Sequence, residues 1–173
     1  MRIRESVIPL CVLFCLAAAS SAASPVVTVG PNIHVSSANP YRDHFEVEMA
    51  ADPEDANNLI ACSHIGGPGW IHTANYMSTD AGKSWHTGII VGGKYDNSDD
   101  PACGFGLNHE VYALSLWRHG VAVMRSNNLG KTWTGPSLMS SIAREYFTID
   151  RSGGKYNGRI YVNGTGFVTG YDG

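Results

Sequence analysis

Short apolar segments, separated by clusters of Gly, Asn, Asp and Ser, recur along the chain from about residue 45 to its end. The segments 45–51, 59–64, 73–78 and 85–91 have strand-like length and are bounded by turn residues, which predicts four strands. Four more are predicted near 104–107 and over 111–117, 121–126 and 133–138. A third set opens at 147–150 and 159–163, with 167–169 as the start of its third strand. No segment shows the 3.6-residue periodicity of a helix of useful length. The pattern predicts an all-β protein.

The pattern also repeats. Ser78-Thr79-Asp80-Ala81-Gly82-Lys83-Ser84-Trp85 returns as Ser126-Asn127-Asn128-Leu129-Gly130-Lys131-Thr132-Trp133, from position 78 to position 126, an offset of 48. Met49-Ala50-Ala51-Asp52 returns as Phe147-Thr148-Ile149-Asp150, from 52 to 150, an offset of 98 or two periods of 49. Each eight-residue copy reads as a hairpin turn. The Asp80 carboxylate accepts backbone N–H groups that follow it, Gly82 supplies a positive φ, and the Trp85 indole covers the turn. Asn128 keeps the accepting oxygen in the second copy and drops the charge. Four short strands per repeat of about 40 to 50 residues is the signature of a β-propeller blade. Blades are expected over about 40–93, 94–140 and 141–173, the last incomplete. A β-sandwich explains the number of strands but not the return of one turn sequence.

At these residues the chain resembles the Asp-box, or bacterial neuraminidase repeat, family, whose motif is Ser-x-Asp-x-Gly-x-Thr-Trp. Ser78, Asp80, Gly82 and Trp85 match, with Ser84 in the threonine position; Ser126, Gly130, Thr132 and Trp133 match in the second copy, which departs at Asn128. The resemblance covers most of the chain after about residue 33. It implies an exported sialidase-like propeller, six- or seven-bladed in the family. About three blades fit in this chain, so an N-terminal fragment is expected, one that needs its remaining blades or self-association. In the family the Asp-box is a peripheral structural turn, so Asp80 and Asn128 carry no catalytic role. Sialidases of this superfamily hold the substrate carboxylate with three arginines, use an aspartate as acid/base, and attack with a tyrosine activated by a glutamate. Their first arginine sits in Arg-Ile-Pro, whereas Arg42 here precedes Asp43 and His44. The resemblance implies a protein that acts on or binds glycans, either as a sialidase-like exo-glycosidase or as a non-catalytic glycan- or protein-binding propeller.

Composition agrees with export and with the fold class. Residues 1–23 read as a signal peptide: Arg2 and Arg4, then an apolar run too short to span a bilayer, then small residues up to a cleavage point after Ala22 or Ala23. The protein is therefore expected to be secreted or periplasmic, with no membrane span after cleavage. Cys11 and Cys15 leave with the leader. Cys62 and Cys103 remain, and in an exported chain such a pair is expected to form a disulfide. It would close a loop from 62 to 103, worth about 4 kcal/mol in the chain-entropy picture. Twenty glycines in 173 residues favour tight turns. A net charge of -3 without basic blocks excludes a phosphate-tracking nucleic-acid protein.

In a propeller the loops 41–46, 64–70, 96–101, His119 and 144–146 share one face. Candidate catalytic groups there are Arg42, Glu46, Asp100, Arg144, Glu145 and Tyr146. A carboxylate pair suits acid/base chemistry at a glycosidic bond, paired arginines suit a carboxylated sugar, and Trp70, Trp117 or Tyr146 suit stacking on sugar faces. Asp99 and Asp100 before Pro101 are read first as turn residues, with Asp96, Asp99 and Asp100 as a weaker calcium reading. No other cofactor is expected. His44, His64 and His109 lack metal-ligand spacing and are read as histidines with local partners. Asn163-Gly164-Thr165 is a formal glycosylation sequon.

Overall fold

A computed structural model describes residues 27–37, 39, 43–67, 69–91, 97–117, 120–140, 146–164 and 167–171. The expected leader, Arg42, Asp96, His119, Arg144 and Glu145 lie outside the described residues. The chain divides into two compact units, Met1–Pro31 and Asn32–Gly173. Of the first, residues 27–31 are described; they are exposed and carry no regular structure. The second holds eleven strands and, among the described residues, no helix. Among the described residues no helix is long and apolar enough to cross a membrane.

The strands form three antiparallel sheets in chain order. Sheet 1 is β1 (Asp43–Ala51), β2 (Leu59–Gly67), β3 (Trp70–Ser78) and β4 (His86–Val91). Sheet 2 is β5 (Ser98–Phe105), β6 (Val111–Trp117), β7 (Gly120–Ser126) and β8 (Thr134–Ser140). Sheet 3 is β9 (Tyr146–Ile149), β10 (Ile160–Gly164) and β11 (Phe167–Tyr171). Each is a simple meander in which sequential strands are neighbours. The strands lie where the apolar pattern predicts them, with one displacement. Sheet 2 opens at Ser98, not near Gly104, so Asp99, Asp100 and Pro101 are strand residues and not a turn. The β5–β6 ladder skips from Asp99–Leu116 to Ala102–Leu114, which leaves Asp100 and Pro101 in a bulge. A bulge accepts a proline because no ladder N–H is needed there.

Alternation along each strand gives every sheet two faces to bury. Ile60, Cys62 and Met77 of sheet 1 pack on Cys103, Phe105 and Val111 of sheet 2. The opposite face of sheet 2, with Ala102, Tyr112, Leu114, Val121 and Val123, packs on Ile160 and Val162 of sheet 3. The far face of sheet 1, with Ala61, Ile65, Ala74 and Tyr76, is covered by Val35, Trp70 and Trp85. Three polar residues in the seam between sheets 1 and 2 pair with one another or with backbone: the Thr73 N–H donates to Ser98 Oγ at 2.7 Å, Ser98 Oγ donates to the Val91 carbonyl at 2.6 Å, and Thr73 and Ser115 hydroxyls share a bond of 2.9 Å. Cys62 and Cys103 meet in the same seam as buried free thiols. Burial, then the hydrogen bond with Cys62, pushes the Cys103 thiol well above its ordinary pKa. The bridge expected between them is not formed here.

The two repeat turns match bond for bond. Ser78 Oγ accepts the Gly82 N–H at 2.9 Å and donates to Asp80 Oδ1 at 2.8 Å; Asp80 Oδ1 accepts the Ser84 N–H at 2.9 Å; Trp85 Nε1 donates to the Gly82 carbonyl at 3.0 Å. In the second turn Ser126, Asn128, Gly130, Thr132 and Trp133 make the same contacts at 2.9 to 3.0 Å. One donor direction reverses. Ser84 Oγ donates to Asp80 Oδ2 at 2.6 Å, whereas Asn128 Nδ2 donates to Thr132 Oγ1 at 2.8 Å. The indoles lie against the sheet cores, Trp85 on the Tyr76 cluster and Trp133 on the Met77 and Met124 clusters.

Two outcomes follow from these turns. Gly82 and Gly130 both have positive φ, +81° and +77°. A Cβ at Gly130 would sit 2.6 Å from Met77 Cγ, and one at Gly82 3.2 Å from Leu59 Cδ1. Gly82→Ala is expected to cost about 1 to 2 kcal/mol for the backbone alone. Gly130→Ala should cost roughly 2 to 4 kcal/mol, because overpacking adds to the backbone term. Urea unfolding of both variants checks the order, and equal losses would contradict the packing argument. The Ser84 hydroxyl and N–H hold the Asp80 carboxyl at about 2, below its ordinary 3.8. A carboxyl with a lowered folded pKa stabilises above its unfolded pKa, and that contribution is lost as pH falls through the folded value. Between pH 6 and pH 2 the wild-type protein should therefore lose more stability than Asp80→Asn. Parallel urea midpoints across that range would exclude the turn as the source.

Candidate functional site

The antiparallel registers put the starts of the first strands at the same end of each sheet as the connections between second and third strands: Asp43 pairs with Gly66, Ser98 with Trp117, and Tyr146 with Asn163. Glu46, Asp100 and Tyr146 thus lie near the starts of β1, β5 and β9. Glu46 and Asp100 come together, and His64 and Asp99 join them. One ligand-type atom from each of Glu46, His64, Asp99 and Asp100 lies within 4.8 Å of the others. Tyr146 is 56% exposed on its own strand.

Two bulges build the cluster. The β1–β2 ladder skips from Phe45–His64 to Glu48–Cys62, which frees Glu46 and Val47 from pairing. The β5 bulge frees Asp100 and Pro101 in the same way. Both freed carboxylate residues take a left-handed backbone, Glu46 at φ 51° and Asp100 at φ 43°. That conformation costs a non-glycine residue roughly 1 to 2 kcal/mol. His64 projects from the face of β2 that also carries Ile60 and Cys62, and is only 2% exposed. Its ring meets the edge of Phe45 at 4.9 Å. Glu46 Oε2 lies 3.5 Å from His64 Nδ1, and Asp99 Oδ1 lies 2.5 Å from Nε2, yet neither ring nitrogen has a hydrogen-bond partner. Asp99 approaches out of hydrogen-bond alignment. The carboxylates of Glu46 and Asp99 are 59% and 51% exposed, so solvent reaches the cluster.

The other candidates are placed differently. His44 Nε2 bonds Tyr76 OH at 2.7 Å, a local structural role. His109 bonds the buried Asp52 at 2.6 Å. Burial raises Asp52, but hydrogen bonds from the Glu54 N–H, His109 and Asn58 outweigh it and leave the carboxyl below its ordinary range, while the bond to Asp52 raises His109. Trp70 packs on the Tyr76 cluster and against the His72 ring at 4.8 Å, and Trp117 packs on the Met124 cluster. Both serve packing. At the far end of the sheets, Ala50, Cys103, Phe105, Phe147, Ile149 and Arg151 help to line a cavity of about 300 Å³. Arg151 is tied there to Glu54 and to the Phe105 carbonyl. That cavity is mainly apolar and lacks a carboxylate.

His64 is the member of the cluster that chain spacing does not reveal. Its signal is a polar residue at the end of the column Ile60, Cys62, His64, where two buried neighbours predict a third apolar side chain.

The strained positions make a prediction of their own. Glu46→Gly and Asp100→Gly relieve the left-handed backbone and reduce carboxylate crowding. Each is expected to leave stability unchanged or to raise it by up to about 1 kcal/mol, whereas glycine elsewhere in a strand destabilises. Urea melts decide this, and a loss above about 1 kcal/mol in either variant would show that the side chain holds the bulge in place.

Comparisons of the chain with family models, curated proteins and solved structures give no match, so the chemistry of this site is argued from its own residues.

Proposed function

We propose that this chain is an exported Asp-box propeller of the sialidase-like kind that acts on or binds glycans, with its recognition face at the starts of β1, β5 and β9. The observation that carries the reading is the recurrence of one turn, bond for bond, between the third and fourth strands of two consecutive four-stranded meanders. A propeller is the architecture in which such sheets follow one another and bury each other's faces. Here the facing sides of sheets 1 and 2, and of sheets 2 and 3, share apolar clusters, which supports that reading. The face carries Glu46, Asp99, Asp100 and the exposed Tyr146, groups suited to acid/base chemistry and to stacking on a sugar ring. In an oxidising compartment the neighbouring Cys62 and Cys103 would bridge sheets 1 and 2. Fold alone does not decide between hydrolysis and binding.

The test is a panel of fluorogenic glycosides together with a glycan array, run on the full chain. A hydrolase should lose about 100-fold or more of its turnover in Glu46→Gln or Asp100→Asn. A binding propeller should show no turnover, but array binding that the same variants weaken. Neither turnover nor glycan binding by folded protein would sink the reading.

A further inference from the structure

We propose that Glu46, His64, Asp99 and Asp100 form a divalent transition-metal site, of the kind that takes Zn²⁺, across the seam between sheets 1 and 2. Three carboxylates and an imidazole offer oxygen and nitrogen donors of the types Zn²⁺ accepts. Metal–ligand bonds of about 2.0 to 2.2 Å in tetrahedral geometry place two donors on one ion roughly 3.3 to 3.6 Å apart. The four donors lie within 4.8 Å of one another, so uptake of the ion closes the widest separations by about 1 Å and opens the 2.5 Å contact between Asp99 Oδ1 and His64 Nε2.

A group of carboxylates alone would not support this, and His64 supplies the independent argument. It is 2% exposed and points into the cluster, and among the described residues neither ring nitrogen makes an aligned hydrogen bond, although Asp99 Oδ1 stands 2.5 Å from Nε2 and Glu46 Oε2 3.5 Å from Nδ1. A buried imidazole left in that state carries a desolvation cost that a metal ion would remove. The repeat makes the choice of residue sharper. Phe45 pairs with His64 just before the β1 bulge, and Asp99 pairs with Leu116 just before the β5 bulge, so His64 and Leu116 hold equivalent places in their sheets. The blade framework accepts an apolar leucine there. A histidine in sheet 1 is therefore not required by packing, and its position opposite Asp99 and Asp100 of the next sheet accounts for it. The bulges complete the donor set by turning Glu46 and Asp100 out of their ladders. Bound there, the ion would pin β1 and β2 to β5.

The site does not depend on which glycan, if any, the propeller recognises, and metal uptake is read without one. Chelator-treated full-length chain is titrated with Zn²⁺ by calorimetry and with Co²⁺ by visible absorption. One equivalent per chain is expected, with a rise in melting temperature. Affinity should fall about tenfold or more in Asp99→Asn, which alters an exposed group, and in Asp100→Asn, which alters a half-buried one. His64→Leu, which installs the residue found at the equivalent place in sheet 2, should keep the circular dichroism spectrum and abolish the Co²⁺ band. The proposal is overturned if folded wild-type chain takes up no Zn²⁺ saturably, if uptake is unchanged in Asp99→Asn and Asp100→Asn, or if Ca²⁺ binds in preference to Zn²⁺ and His64→Leu leaves it unaffected.

Discussion

The structure depends on a burial constraint: a four-stranded meander has two apolar faces, and neither can be covered by its own strands. Sheet 1 covers one face of sheet 2 through Ile60, Cys62 and Met77, and sheet 3 covers the other through Ile160 and Val162. At about 25 cal/mol per Å² of apolar surface, such a face outweighs any single turn or ion pair in the molecule. The hairpin turns serve this stacking as well as chain reversal. The Gly130 turn sits against Met77 of the preceding sheet, so a local motif also fixes how two sheets approach.

The same stacking creates the candidate site. Side chains that face the next sheet are compared with a partner surface far away in sequence, and at one end of the seam that comparison becomes polar. Thr73, Ser98 and Ser115 satisfy each other by hydrogen bonds. His64 does not: beside the Phe45 ring, its nitrogens face the carboxylates of Glu46 and Asp99 without an aligned hydrogen bond. Two bulges bring Glu46 and Asp100 to the same cluster, at a cost in backbone strain that packing offers no reason to bear.

Much of the fold was legible in the chain because strand lengths and turn chemistry are local properties. The Ser-x-Asp-x-Gly turn is specified by groups within eight residues, so Asp80 and Gly82 announce it and Asn128 preserves it. The β5 bulge was not legible for the converse reason. Asp99-Asp100-Pro101 has the composition of a turn, and only pairing with β6 keeps it in a strand. Glu46 and Asp100 could be singled out as carboxylates on the loop-bearing end, but not as neighbours of each other. Their meeting depends on two ladder registers and on sheet stacking, none of which is written in spacing along the chain. His64 was hidden for the same reason.

Comparing the repeats separates what the fold requires from what it merely permits. Where the two turns differ, as Asp80 against Asn128, the hydrogen bonds persist with one donor reversed, so the fold requires an acceptor oxygen and not a charge. Where the strands differ, as His64 against Leu116, the sheet forms either way, so the fold requires only a side chain that fills the seam. A difference the fold does not need, placed beside strained carboxylates that it does not need either, has to be explained by chemistry at that end of the sheets. The sheets themselves then act as a frame that holds those donors within reach of one another without the aid of their immediate neighbours in sequence.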